Sequence, residues 1–125
     1  KGGSLANFYA GNIYLRQGEY KKAIEHLSAY KGEDKILAQQ TKALIGDAYV
    51  ELGQLDKAIS NYKDAAKSNN VMTTPFILLK LGQVYEMQKN NAEALNCYKR
   101  IKTEFPASQE YREIEKYISR LENLQ

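Results

Sequence analysis

Few side chains in this 125-residue chain could do chemistry, and none has the neighbours that chemistry needs. The single histidine, His26, stands beside Glu25 and two positions from Ile24 on a helix-like stretch. Metal ligation or a nucleophile–base pair needs further ligands or a partner, and no cysteine or second histidine accompanies it. The single cysteine, Cys97, sits next to Tyr98 and can form no intramolecular disulfide; it reads as a small half-buried hydrophobe rather than a reactive thiol. There is no glycine loop to cradle phosphate, and no carboxylate pair rises above ordinary helix surface charge. The expectation is therefore a non-enzyme with no cofactor and no metal; turnover lost on replacing His26 or Cys97 would overturn it. Ten tyrosines remain, but Tyr14, Tyr49, Tyr62, Tyr85 and Tyr98 return at fixed spacings, which assigns them to a core.

Those spacings come from a repeat. The stretch from Gly46 to Tyr62 carries Gly46, Tyr49, Gly53, Leu55, Ala58 and Tyr62, with Ala65 a turn beyond. Aligning Gly46 with Gly11 and Gly82 brings back the same residue types at intervals of 35 and 36 residues. Three positions after each glycine stands Tyr14, Tyr49 or Tyr85, and twelve after it Ala23, Ala58 or Ala94. Leu27, Tyr62 or Tyr98 follows at sixteen, and Tyr30, Ala65 or Ile101 at nineteen. Glycine and alanine suit the crossing of two antiparallel helices, where small residues let the axes approach to roughly 8 Å. Between the helices lie the turns Gln17-Gly18-Glu19, Leu52-Gly53-Gln54 and Lys89-Asn90-Asn91. Glycine supplies the left-handed residue that ends a helix. In the third unit Lys89 holds the aligned place, and Asn90 is expected to do the turning.

These residues resemble the tetratricopeptide repeat, a helix-turn-helix unit of about 34 residues. The large residue often found four before the glycine is replaced by Asn7 and Lys42 and kept as Leu78; the closing proline appears once, as Pro106. The resemblance implies an all-α fold: an α-solenoid of three such units plus a C-terminal capping helix, about seven helices in a right-handed superhelix. The chain reads as one domain, residues 1–125, with repeat 1 over 4–33, repeat 2 over 34–70, repeat 3 over 71–106 and the capping helix over 107–125.

Local signals place the helices. Ser4 is expected to cap a helix running to about Arg16, with a partner from about Glu19 to Tyr30. Asp34 caps the next, to Leu52, which pairs with Leu55 to about Lys67. Thr74 followed by Pro75 reads as a cap and a first helical position, opening a helix to about Gln88 whose partner spans about Ala92 to Glu104. Ser108 then caps Gln109 to about Leu124, with Tyr111, Ile114, Tyr117, Ile118 and Leu121 on one face. Its polar remainder suits a terminal cap; the alternative is the first helix of a fourth unit, against which the missing crossing glycine speaks.

Net charge is +3, from 18 basic and 15 acidic residues spread along every helix. That is too mild and too mixed to argue for nucleic acid, which would want a clustered basic stripe, so no nucleic-acid partner is expected. No stretch reaches the roughly 18 apolar residues of a membrane span. Beginning at Lys1 rather than methionine, the sequence reads as a processed protein or an excised fragment.

The resemblance also implies that the first helix of each unit lines a concave side, at offsets −6, −3, +1, +4 and +5 from the glycine. These positions are Leu5, Phe8, Asn12, Leu15 and Arg16 in repeat 1, and Gln40, Ala43, Asp47, Val50 and Glu51 in repeat 2. In repeat 3 they are Phe76, Leu79, Gln83, Glu86 and Met87. Phe8, Leu15, Phe76, Leu79 and Met87 have no obvious partner within the three units, so the stripe reads as a groove for a protein or peptide, or as a face covered by other residues or another copy. The lysine, asparagine and arginine clamp with which some repeats of this kind hold chaperone tails matches at Asn12 and Lys80. It fails at Phe8, Leu44 and Phe76, so no chaperone-tail binding is expected.

Residues 46–53 and 98–108 further resemble envelope tetratricopeptide proteins of Gram-negative bacteria, notably the translocon-associated, membrane-anchored family. This implies a chaperone-like, periplasm-facing part of an anchored protein, with a cytoplasmic location as the alternative. A structural subunit of an envelope or cytosolic complex, with the groove as a permanent interface, is the other functional reading.

Overall fold

A computed structural model describes residues 2–124; Lys1 and Gln125, at the edges of the expected domain, lie outside the described residues. It consists of seven helices, with no strand among the described residues. They are α1 (Gly2–Arg16), α2 (Tyr20–Ser28), α3 (Lys35–Glu51), α4 (Leu55–Ala66), α5 (Thr74–Met87), α6 (Asn91–Glu104) and α7 (Tyr111–Asn123). They gather into two compact units, residues 1–68 with α1–α4 and residues 69–125 with α5–α7.

In the first unit α1 pairs with α2, α3 with α4, and α3 also packs on α2. The pairs are antiparallel because their turns are short, and the crossing glycines set how close they come. A methyl group on Gly11 would stand 2.5 Å from Leu27 Cγ, and one on Gly46 would stand 2.6 Å from Tyr62 Cε1. The large residue sixteen positions on therefore lies over the glycine itself, filling the space a side chain would need. Phe8, Ala23, Leu27 and Ile45 form a buried cluster, with Tyr14, Leu15, Leu37 and Tyr49 around it. Gln39, 2 % exposed, is satisfied by donating to the Ala65 carbonyl at 3.0 Å.

The second unit repeats the plan: α5 pairs with α6, Gly82 lies under the Tyr98 ring, and α7 packs on α6. Ile77, Leu81 and Val84 of α5 are buried, as are Ile114, Ile118 and Leu121 of α7. Lys102 and Glu115 pair at 2.5 Å, and Lys99 and Glu122 at 3.2 Å, along the α6–α7 seam.

Several local expectations are corrected. Ser4 lies inside α1 rather than capping it, and its hydroxyl accepts from the Lys31 amide at 2.6 Å, tying the end of the first pair to its start. Thr74 is the first residue of α5, not its cap; its buried hydroxyl accepts from the Asn70 amide at 2.7 Å. The Asn70 side chain accepts from Met72 and Thr73 instead, a local asparagine turn. Lys89 is itself the left-handed residue, with φ 61°, matching Gly18 at 79° and Gly53 at 74°. Asn90 does not turn the chain: it caps α6, accepting from the Glu93 amide at 3.3 Å. Asp34 caps α3 as expected, accepting from Ile36 at 2.9 Å and Leu37 at 3.0 Å. Ser108 accepts from the Tyr111 amide at 3.2 Å while donating to the Phe105 carbonyl at 2.7 Å, so it organises the turn before α7.

Candidate functional site

The first-helix stripe divides by burial. Phe8, expected in an open groove, is 7 % exposed, because α3 brings Ile45 over it and Tyr30 packs its ring at 5.9 Å. Ala43 is buried as well, and Leu15 packs against the same cluster as Phe8. Phe8 and Ala43 are core rather than lining, and Leu15 is half-buried. Leu5, Arg16, Gln40 and Glu51 are exposed, while Asn12, Asp47 and Val50 are half-buried. Asp47 accepts a short hydrogen bond from the Tyr62 hydroxyl. Burial, and then that bond, push the Tyr62 phenol above its ordinary value, keeping it a neutral donor.

The second unit holds its stripe open. Phe76 is 50 % and Met87 58 % exposed, Leu79 is half-buried between them, and Gln83 is exposed. The Lys80 ammonium lies 4.5 Å from the centre of the Phe76 ring one turn away. Lys80 is the one basic residue that matched a chaperone clamp.

Across from α5, α7 supplies a second wall that the sequence reading left out. Glu113, Lys116 and Arg120 stand 37 residues after Phe76, Leu79 and Gln83 and face the same clefts. One open cleft of about 680 Å³ is lined by Gln83, Glu86, Met87, Lys116, Tyr117 and Arg120. A neighbouring one of about 310 Å³ lies between Phe76 and Leu79 on α5 and Glu110, Glu113 and Tyr117 on the α7 side. The missed signal was the apolar stripe. Ile77, Leu81 and Val84 return as Ile114, Ile118 and Leu121, 37 residues later. Without a glycine at the crossing, nothing in the residue types fixed that register.

Glu86 ties the two walls together. It receives both terminal nitrogens of Arg120, at 2.8 and 2.9 Å, and the Tyr98 hydroxyl at 2.5 Å. Arg120 also lies 5.9 Å from the centre of the Tyr117 ring, which meets Tyr98 edge-on at 5.3 Å. Forked pairing with a guanidinium fixes direction as well as charge. The Arg120 bond holds the Glu86 carboxyl below its usual value; partial burial opposes this, and the Tyr98 bond adds to the lowering. The Tyr98 phenol is raised by burial and then by Glu86. The result is a braced cleft with apolar contacts at Phe76, Leu79 and Met87, with Glu110 and Glu113 beside Phe76 and with Lys116 and the Glu86–Arg120 pair beside Met87.

The residues that could have signalled catalysis lie on the second helices of their pairs, His26 on α2 and Cys97 on α6. His26 shares a 3.0 Å hydrogen bond between Nδ1 and Asn7 Oδ1 and stacks on Tyr14, with ring centres 5.2 Å apart. Asn7 thus occupies the place where a large residue often stands and gives the histidine a polar partner. Cys97 is buried at the position in α6 that corresponds to His26 in α2. No group of three or more potential metal ligands occurs among the described residues. None of the described helices is long and apolar enough to cross a membrane.

Comparison with protein families adds one finding: a model described as a tetratricopeptide repeat matches residues 2–35 and 44–108. No curated protein matches the chain.

Proposed function

The chain belongs to the tetratricopeptide repeat family, whose repeats generally mediate protein–protein interaction, and from that premise we propose that it is a non-catalytic scaffold holding a partner or client polypeptide against its first-helix faces. The observation that carries this reading is the open pair of clefts between α5 and α7, where Phe76 and Met87 stay half or more exposed beside a fixed Glu86–Arg120 pair. Apolar side chains flanked by oriented polar groups provide affinity and direction together. In the first unit, taken by itself, Leu5, Asn12, Arg16, Gln40, Asp47, Val50 and Glu51 are the candidate lining residues.

We further read the protein as the periplasm-facing part of a membrane-anchored, chaperone-like protein. Support for this rests on the resemblance of residues 46–53 and 98–108 to envelope proteins of that kind. A cytoplasmic scaffold is the alternative, and fractionation of the gene product in its own cell separates the two. The binding reading is tested by capturing partners from cell extract with the parent and with Phe76→Asp and Leu79→Asp variants shown by circular dichroism to be folded. Loss of the same captured proteins from both variants supports the cleft as the site, whereas capture unchanged by either variant overturns it. A fixed-stoichiometry, non-exchanging partner would identify a structural subunit instead of a client binder.

A further inference from the structure

We propose that the partner segment held by the 69–125 unit is basic at its centre and apolar on either side: a lysine or arginine set against Glu110, flanked by two large apolar side chains. This rests on the reading of the α5–α7 cleft as the binding site and adds the chemistry of its occupant. Glu110 lines two open pockets at once. One is the cleft of about 310 Å³ with Phe76 and Leu79. The other, of about 330 Å³, is lined by Val71, Met72, Phe105 and Pro106. Both lie near the roughly 300 Å³ lower bound of ligand pockets, which leaves room for a large side chain in each.

The apolar wall of the second pocket is built on an ordered turn. Asn70 Oδ1 accepts from the Met72 amide at 2.8 Å and the Thr73 amide at 3.1 Å, and the Asn70 amide donates to the Thr74 hydroxyl at 2.7 Å. That turn leaves Val71 70 % and Met72 81 % exposed. Large apolar side chains that a hydrogen-bonded turn keeps in water mark a contact surface. A preformed wall also spares an incoming segment the cost of ordering it.

Charge decides which apolar segment fits. Glu110 is half-buried, and its carboxylate makes no capping hydrogen bond to α7. Neither it nor the exposed Glu113, one turn on, has an ion-pair partner among the described residues. Glu104, the remaining carboxylate of the second pocket, is taken by Arg100 at 3.0 Å. Neither pocket has a lysine or arginine among its described lining residues: Lys80 lies over the Phe76 ring, and Lys116 lines the larger cleft beside Met87. A purely apolar segment would strip Glu110 of water with nothing in return, and an acidic one would be repelled. A basic side chain compensates the carboxylate where the apolar flanks exclude water. In an extended segment, residues two apart point the same way at a spacing of about 6.4–6.8 Å. The order apolar, basic, apolar at alternate positions therefore sets the charge over Glu110 and one apolar side chain in each pocket.

Fluorescence anisotropy on the 125-residue chain tests this with three labelled peptides that differ only at the centre. Each carries a leucine two residues to either side of an arginine, a glutamine or a glutamate, in an otherwise glycine and serine sequence. The arginine peptide should bind about fivefold tighter than the glutamine one, and the glutamate one weakest. Raising salt from about 0.05 to about 0.5 M should narrow that gap. Glu110→Gln, with the parent circular dichroism spectrum, should bring the arginine and glutamine peptides within about twofold of each other, while Phe76→Ser should weaken all three. Equal affinities in the parent, a glutamate peptide that binds best, a preference that survives Glu110→Gln, or no binding of the arginine peptide at about 500 µM each overturns the proposal. Equal affinities that are all lost in Phe76→Ser remove the charge preference and leave the cleft as the site. Partner capture unchanged in Phe76→Asp and Leu79→Asp removes the cleft itself.

Discussion

Replacing Lys89 with glycine should stabilise the 69–125 unit by about 0.5–1 kcal/mol, and replacing Gly53 with alanine should destabilise the 1–68 unit by a similar amount. Both expectations come from one quantity, the cost of holding an L-residue in the left-handed region, about 1–2 kcal/mol. Lys89 has φ 61° and Gly53 φ 74° at corresponding turns of the repeat. Opposing the gain at Lys89 is the larger freedom that glycine has in the unfolded chain, about 0.4–1 kcal/mol; the difference leaves the net effect. Gly53 makes a clean counterpart because a methyl group added there would meet nothing within 4 Å. Its substitution therefore reports backbone strain without overpacking. Urea unfolding followed by far-ultraviolet circular dichroism reads both. With a slope of roughly 1–3 kcal/mol per molar urea, the midpoints should move by about 0.2–1 M, upward for Lys89→Gly and downward for Gly53→Ala. A midpoint for Lys89→Gly equal to or below the parent's would refute the reasoning, since lysine would then be no worse than glycine at that turn.

Gly46→Ala should cost about 1–3 kcal/mol, because its methyl group would stand 2.6 Å from Tyr62 Cε1 and push a 2 % exposed ring out of place; a loss below about 0.5 kcal/mol in the same unfolding assay would show that the crossing relaxes without strain. Glu86 supplies a pH dependence of definite sign. Its folded carboxyl lies below the ordinary value, so its contribution is fully present above the unfolded value of about 4.3 and disappears as pH falls through the folded one. The stability difference between parent and Glu86→Gln should be about 1 kcal/mol near pH 7 and shrink below about pH 4, and a difference unchanged down to pH 3 would remove Arg120 as its cause.

Fold and site were legible to different depths. Gly11, Gly46 and Gly82, with the alanines and large residues twelve and sixteen positions on, determined the helix pairs, because helical period and the size of a side chain at a crossing are local properties. Asp34 determined its own cap for the same reason: the amides it satisfies are two and three residues away. What depended on distant residues was not readable. Phe8 fits a groove by offset but becomes core because α3 lays Ile45 over it. Ser4 has the chemistry of a cap, yet its hydroxyl is taken by the Lys31 amide, 27 residues on. Lys89 adopts the conformation of its glycine counterparts because the paired helices dictate the turn and override the preference of the residue in it. The α7 wall of the cleft, with Lys116 and Arg120, depended on a one-residue shift in the repeat that only packing against α6 could fix. Sequence determined which helices form and how they pair; tertiary packing decided which faces remained open, since exposure at one residue is set by elements far from it in the chain.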